Sequence, residues 1–239
     1  GDVYKRQADN STTYMSFFSQ MDTYGDGYAG IGVWRAAFKP LVDRIADTDI
    51  RLQWFCCDRS TGVTDASGNR ITLIRDTQSP VAVEYQAVKF IGTGRDNIKA
   101  GVFSGWELGD YIYLRSEEAY MIKMEALAHK GSAEAVTELN SFMKTRQPDY
   151  NYTFTNKADL IEEIIYQKRV EFWGEGLEYI DNRRLNIPVD RTDETWGAEN
   201  NNHLSAGKFR YNQEDRPFLY QLPLSEIENN SQLSPSDQN

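Results

Sequence analysis

The chain has 239 residues, enough for one sizeable domain, and its 40% hydrophobic and 13% aromatic content marks a globular protein, not a disordered one. A formal net charge of −10 argues against nucleic acid or an anionic membrane surface as partner, because both need clustered Lys and Arg. No apolar run approaches about 18 residues, the length a membrane-spanning helix requires.

The opening "GDVYKRQADNSTTYM" lacks the apolar core of a signal peptide. Gly25, Gly27 and Gly30 then satisfy the spacing of a dinucleotide-binding turn. That motif needs a buried strand before it and a helix after it, and "SFFSQMDTY" is no such strand, so a surface loop is expected. Val33 to Ala46 has the pattern of an amphipathic helix, which Pro40 should interrupt or kink. Cys56 and Cys57 are adjacent and alone, which suits free thiols better than a strained bridge. "STGVTDASGNRITL" is a loop by composition, and "RITLIRD" suggests a short strand after the turn "ASGN".

Near residue 110 the chain changes character and helical periodicity dominates. From Tyr111 to Lys130, Tyr113, Tyr120, Met124 and Leu127 recur at helical spacing, with Ala119, Ile122 and Ala126 as an adjoining stripe. Gly131 suits the left-handed residue after a helix end, and Ser132 suits the cap of a second helix carrying Ala135, Leu139 and Phe142. So short a link predicts an antiparallel hairpin. A third helix is expected from Lys157 to Trp173, capped by Thr155 or Asn156, with Ile161, Ile164, Ile165 and Phe172 inward. Gly174 and Gly176 should break it before a short helix bearing "LEYIDNRR". The pattern predicts two helix hairpins over 111–186, with Ala119, Ile122, Leu139, Phe142, Ile161 and Ile165 buried between them.

Four ordered motifs, "YLRSEEAYMIKMEALAHKG", "AVTELNSFMKTRQ", "LIEEIIYQKRVEFWGEGLEYIDNRR" and "YQLPLSEIENN", resemble the C-terminal half of a SusD/RagB-type protein. The resemblance runs from Tyr111 to Asn230, and weakly through "LVDRIADTDIR". It implies a mainly α fold of divergent tetratricopeptide-like helix hairpins, with long irregular loops and short β-hairpin elements. An irregular, ligand-facing lobe is expected over residues 1–110, a helical scaffold over 111–186, and a polar loop with a packing tail over 187–239. Family members are outer-membrane lipoproteins of Bacteroidetes. They bind oligosaccharides or other nutrients at the cell surface and pass them to a TonB-dependent, SusC-like transporter. The lipid-bearing cysteine and N-terminal helices of the family are expected upstream of this chain, and no enzymatic activity or cofactor is implied.

"KRVEFWGEGLEYIDNRR", residues 168 to 184, matches Lys168, Arg169, Arg183 and Arg184 with Glu171, Glu175, Glu178 and Asp181. On a continuous helix Glu171 and Glu175 would share one face, and retaining glycosidases hold two carboxyls about 5–5.5 Å apart. Catalytic carboxylates, however, usually flank an open cleft from separate elements. The local balance of charge instead predicts a structural network of Arg169, Glu171, Glu175, Asp181 and Arg184, largely out of solvent and without a catalytic role. His129 and His203 have no cysteine nearby, so no metal set is expected.

What remains for function is aromatic surface. Flat rings stack on the apolar faces of sugars, and neighbouring amide, carboxylate and guanidinium groups pair with hydroxyls. Trp34 and Trp54 in the upstream lobe are the expected stacking platforms, with Asp58 and Arg59 as hydroxyl partners. Trp196 stands in an Asn- and Asp-rich loop and suits either core or surface. Three functions stay open: glycan binding with a transporter, a helical-repeat scaffold for protein partners, and a glycoside hydrolase.

Overall fold

The computed structural model describes residues 3–6, 17, 21, 36–56, 85–87, 89–90, 110–215 and 221–237. Asp58, Arg59 and Trp34, the glycine motif at 25–30, Cys57 and the expected strand "RITLIRD" lie outside these residues. The chain divides into two compact units, Gly1–Glu171 and Phe172–Asn239.

In the first unit, β1 (Val3–Arg6) pairs antiparallel with the later strand Asp110–Leu114. Helix α1 (Lys39–Asp43) is shorter than the expected Val33 to Ala46, and Pro40 stands in its first turn instead of kinking its middle. A proline there loses nothing, because the first-turn N–H groups have no partner inside the helix. A 3₁₀ turn, Ile50–Trp54, follows and leads into β2 (Phe55–Cys56), which pairs with β3 (Gln86–Ala87). The strand Asp110–Leu114 is β4, so the helix expected from Tyr111 starts only at Ser116. Its central residues Tyr111, Ile112 and Tyr113 are aromatic or β-branched, and pairing with β1 satisfies the strand's backbone as a ladder.

Three helices form the scaffold of this unit. They are α2 (Ser116–His129), α3 (Glu134–Met143) and α4 (Lys157–Glu171), and α2 packs against both of the others. α2 ends as its sequence suggests. Gly131 takes φ +71°, its N–H donates to the Ala128 carbonyl at 3.0 Å, and the Ser132 N–H donates to that of Leu127 at 3.0 Å. This pair of bonds closes the helix end on a left-handed residue, the conformation glycine adopts without a Cβ penalty. Ser132 Oγ then accepts the Glu134 N–H at 3.3 Å at the start of α3. At the head of α4, Asn156 Oδ1 accepts the Asp159 N–H at 3.0 Å, so Asn156 is the cap.

The buried face of α2 differs from the expected stripes. Met121, Met124 and Ala128 are buried, whereas Tyr113 on β4 and Tyr120 and Ile122 on α2 are exposed. α2 carries two apolar stripes separated by Glu118, Glu125 and Lys123, so periodicity alone does not select the buried phase, and packing against the other helices does. Ala135, Leu139 and Met143 of α3 and Leu160, Ile164, Ile165 and Val170 of α4 face it, and Val42, Ile45, Leu52 and Phe55 extend the buried core of this unit. Leu139 and Ile165 are therefore buried as expected, Ala119 and Ile122 are exposed, and Phe142 and Ile161 are half-buried. Each fully buried side chain of this size contributes roughly 1.5–3 kcal/mol.

In the second unit Gly174 and Gly176 both take positive φ and lead into α5 (Leu177–Arg184). The stretch expected to be a polar loop is organised. β5 (Val189–Asp190) pairs with β6 (Arg210–Tyr211), flanking a short helix α6 (Asp193–Trp196). Helix α7 (Leu224–Asn229) follows Pro223 and buries Ile227.

Candidate functional site

Glu171, at the end of α4, is buried to 2% side-chain exposure, and its partners come from distant parts of the sequence. Arg115 Nη1 and Arg146 Nη2 each donate to Oε1 at 3.0 Å. Arg146 Nε and Arg51 Nη1 reach Oε2 at 3.3 and 3.4 Å. The Glu171 carbonyl takes the Lys89 ammonium at 2.7 Å and Arg115 Nη2 at 2.9 Å. Burial alone would push the carboxyl pKa up. The hydrogen bonds and charge of Arg146, with the charges of Arg51 and Arg115, outweigh it and hold Glu171 below the ordinary glutamate value. Arg51 is itself buried and doubly paired, giving Nη2 to Asp49 Oδ2 at 2.6 Å and also bonding the Gln167 side-chain oxygen.

This carboxylate has cations in place of an open face, so it cannot hold a proton for a substrate at neutral pH. Counting charge locally sets it against its own neighbours in sequence, because partners 25 to 120 positions away leave no mark in a short window. In the second unit, Asp181 accepts from Arg184 Nε at 2.7 Å, with Asp181 buried and Arg184 exposed. Arg169 and Glu175 are half-buried.

Of the residues expected to meet ligand, Trp54 is described and half-buried at the end of the 3₁₀ turn. The Lys89 ammonium lies 4.8 Å from its ring centroid and 5.1 Å from that of Phe90. Phe90 in turn meets Phe17 edge to face at 4.9 Å. A cation over an indole face is a favourable contact, and it occupies one side of the ring.

A concavity, which residue patterns gave no reason to single out, lies where the loop after α1 and the loop between α3 and α4 meet the middle of α4. Its cavity volume is about 450 Å³, and Tyr150, Tyr152 and Tyr166 supply its aromatic walls. Tyr150 is buried and donates its hydroxyl to Glu163 Oε1 at 2.9 Å, which also accepts Gln167 Nε2 at 2.7 Å. Arg44 Nη2 reaches Glu163 Oε2 at 2.7 Å, and its guanidinium stacks 3.9 Å from the centre of the Tyr166 ring. Burial pushes the Tyr150 and Tyr166 hydroxyls well above the ordinary tyrosine range, so both stay neutral. The Tyr152 backbone is clamped by Asn140, which accepts its N–H at 2.7 Å and donates to its carbonyl at 3.0 Å. The one advance signal was the paired tyrosines in "DYNYTF".

In the second unit Asp190 binds the Thr192 and Thr195 hydroxyls at 2.7 Å and Arg210 Nη1 at 2.8 Å. Its carbonyl accepts the Trp196 indole N–H at 2.9 Å, which fixes a ring that remains 37% exposed. Trp196 is thus a surface residue held in one orientation. Among the described residues no cluster of three or more His, Cys, Asp or Glu is placed to hold a metal ion.

Helices packed on one another around a buried core, with loop-borne aromatic and polar groups, define a helical scaffold protein. A model described as the SusD family matches residues 85–239, and the chain belongs to that family. Among solved structures, a SusD-like carbohydrate binding protein from Bacteroides vulgatus superposes with a TM-score of 0.63 at 21% identity, which shows the shared fold. The match covers 96% of this chain and 47% of that one, so this chain spans about half the length of the solved protein. Comparison with curated proteins gives no match.

Proposed function

We propose that this chain is part of a cell-surface protein that binds oligosaccharides and delivers them to a TonB-dependent, SusC-like outer-membrane transporter. Membership in the SusD family carries this reading. The solved relative, described as carbohydrate binding, supports the ligand class. The enclosure of Glu171 by three guanidinium groups supports binding over glycoside hydrolysis. In the full-length protein a lipid anchor would hold the molecule at the outer membrane.

Trp34 and Trp54 would stack on sugar faces, with Asp58 and Arg59 pairing to hydroxyls. Loops on a rigid frame are where binding groups gather, and the helices here are committed to core and paired charge. The test is Trp34→Ala and Trp54→Ala in the full-length protein, each checked for folding, with oligosaccharide affinity read by calorimetry. Removing one stacking ring should cost about 1 kcal/mol, several-fold in affinity. Parental affinity in both variants would move the site away from these four residues.

A protein-interaction scaffold is the second reading, favoured by the exposed Tyr120 and Ile122 on α2. That reading excludes carbohydrate binding, so the folded full-length protein should bind no oligosaccharide in calorimetry, and Tyr120→Glu with Ile122→Glu should abolish its capture of a protein partner.

A further inference from the structure

We draw no further inference here: the strongest candidate, the exposed apolar face of α2 that carries Ala119, Ile122 and Ala126, has nothing in the structure to show what covers it.

Discussion

Glu171→Gln tests the centre of the first unit. The carboxylate receives four N–H donors from three arginines and is almost wholly out of solvent. A glutamine keeps the shape, removes the negative charge and turns an NH₂ group toward guanidinium groups. Removing one partner from a buried ion pair typically costs about 3–5 kcal/mol. The lower end applies here, because the arginines keep other acceptors. Arg51 retains Asp49 at 2.6 Å, Arg146 retains Glu117 at 3.3 Å, and Arg115 retains the Glu171 carbonyl at 2.9 Å. A loss of about 3 kcal/mol lowers Tm by roughly 6–12 °C in a chain of this size. The exposed Glu178→Gln is the control and should stay within about 0.5 kcal/mol.

The acid limb gives an independent measurement. The Glu171 pKa is lowered in the folded state, so its stabilisation is fully present above the unfolded value of about 4.5 and is lost as pH falls through the folded value. Urea midpoints measured from pH 7 down to pH 2 should therefore fall less steeply below 4.5 in Glu171→Gln than in the parent. A stability loss under about 1 kcal/mol, or an identical acid slope, would refute the view that this carboxylate anchors the unit.

Two more substitutions separate packing from pattern. Met124→Ala should cost about 2–5 kcal/mol in urea unfolding, whereas Ile122→Ala, two residues earlier on the same helix, should stay within about 0.5 kcal/mol. Asn156→Ala should cost about 1 kcal/mol, since the Asp159 N–H loses its side-chain acceptor, and Asn156→Ser should recover most of it.

The features legible in the sequence are those fixed by a few neighbouring residues. Gly131 after α2, Asn156 before α4, and the glycines at 174 and 176 each answer a backbone requirement met within one turn. The buried phase of α2 was not legible, because its residues offer two apolar faces and the choice is made by α3 and α4. Nor were the partners of Glu171, which stand 25, 56 and 120 positions away in sequence. The cup-shaped concavity beside α4 was hidden for the same reason: Tyr150 and Tyr152 lie in one loop, Tyr166 on α4, and the opposite wall, Arg44 to Asp49, about a hundred residues earlier than the first two.

Those two hidden features are joined through shared side chains. Gln167 accepts from Arg51 on one side and donates to Glu163 on the other. Asp49 lines the cup while binding the same Arg51. The arginine that reaches Glu171 therefore also orients two groups on the wall of the cup. Groups held from behind by a buried hydrogen-bonded lattice keep their geometry without a ligand, which lowers the ordering cost of binding. Removing the Glu171 charge frees Arg51 on that side, so a loosened cup is expected even though Glu171 lines no part of it. A shifted Gln167 side-chain amide signal in folded Glu171→Gln would show this coupling through Arg51. An unchanged signal would show that the Asp49 pair alone fixes the wall.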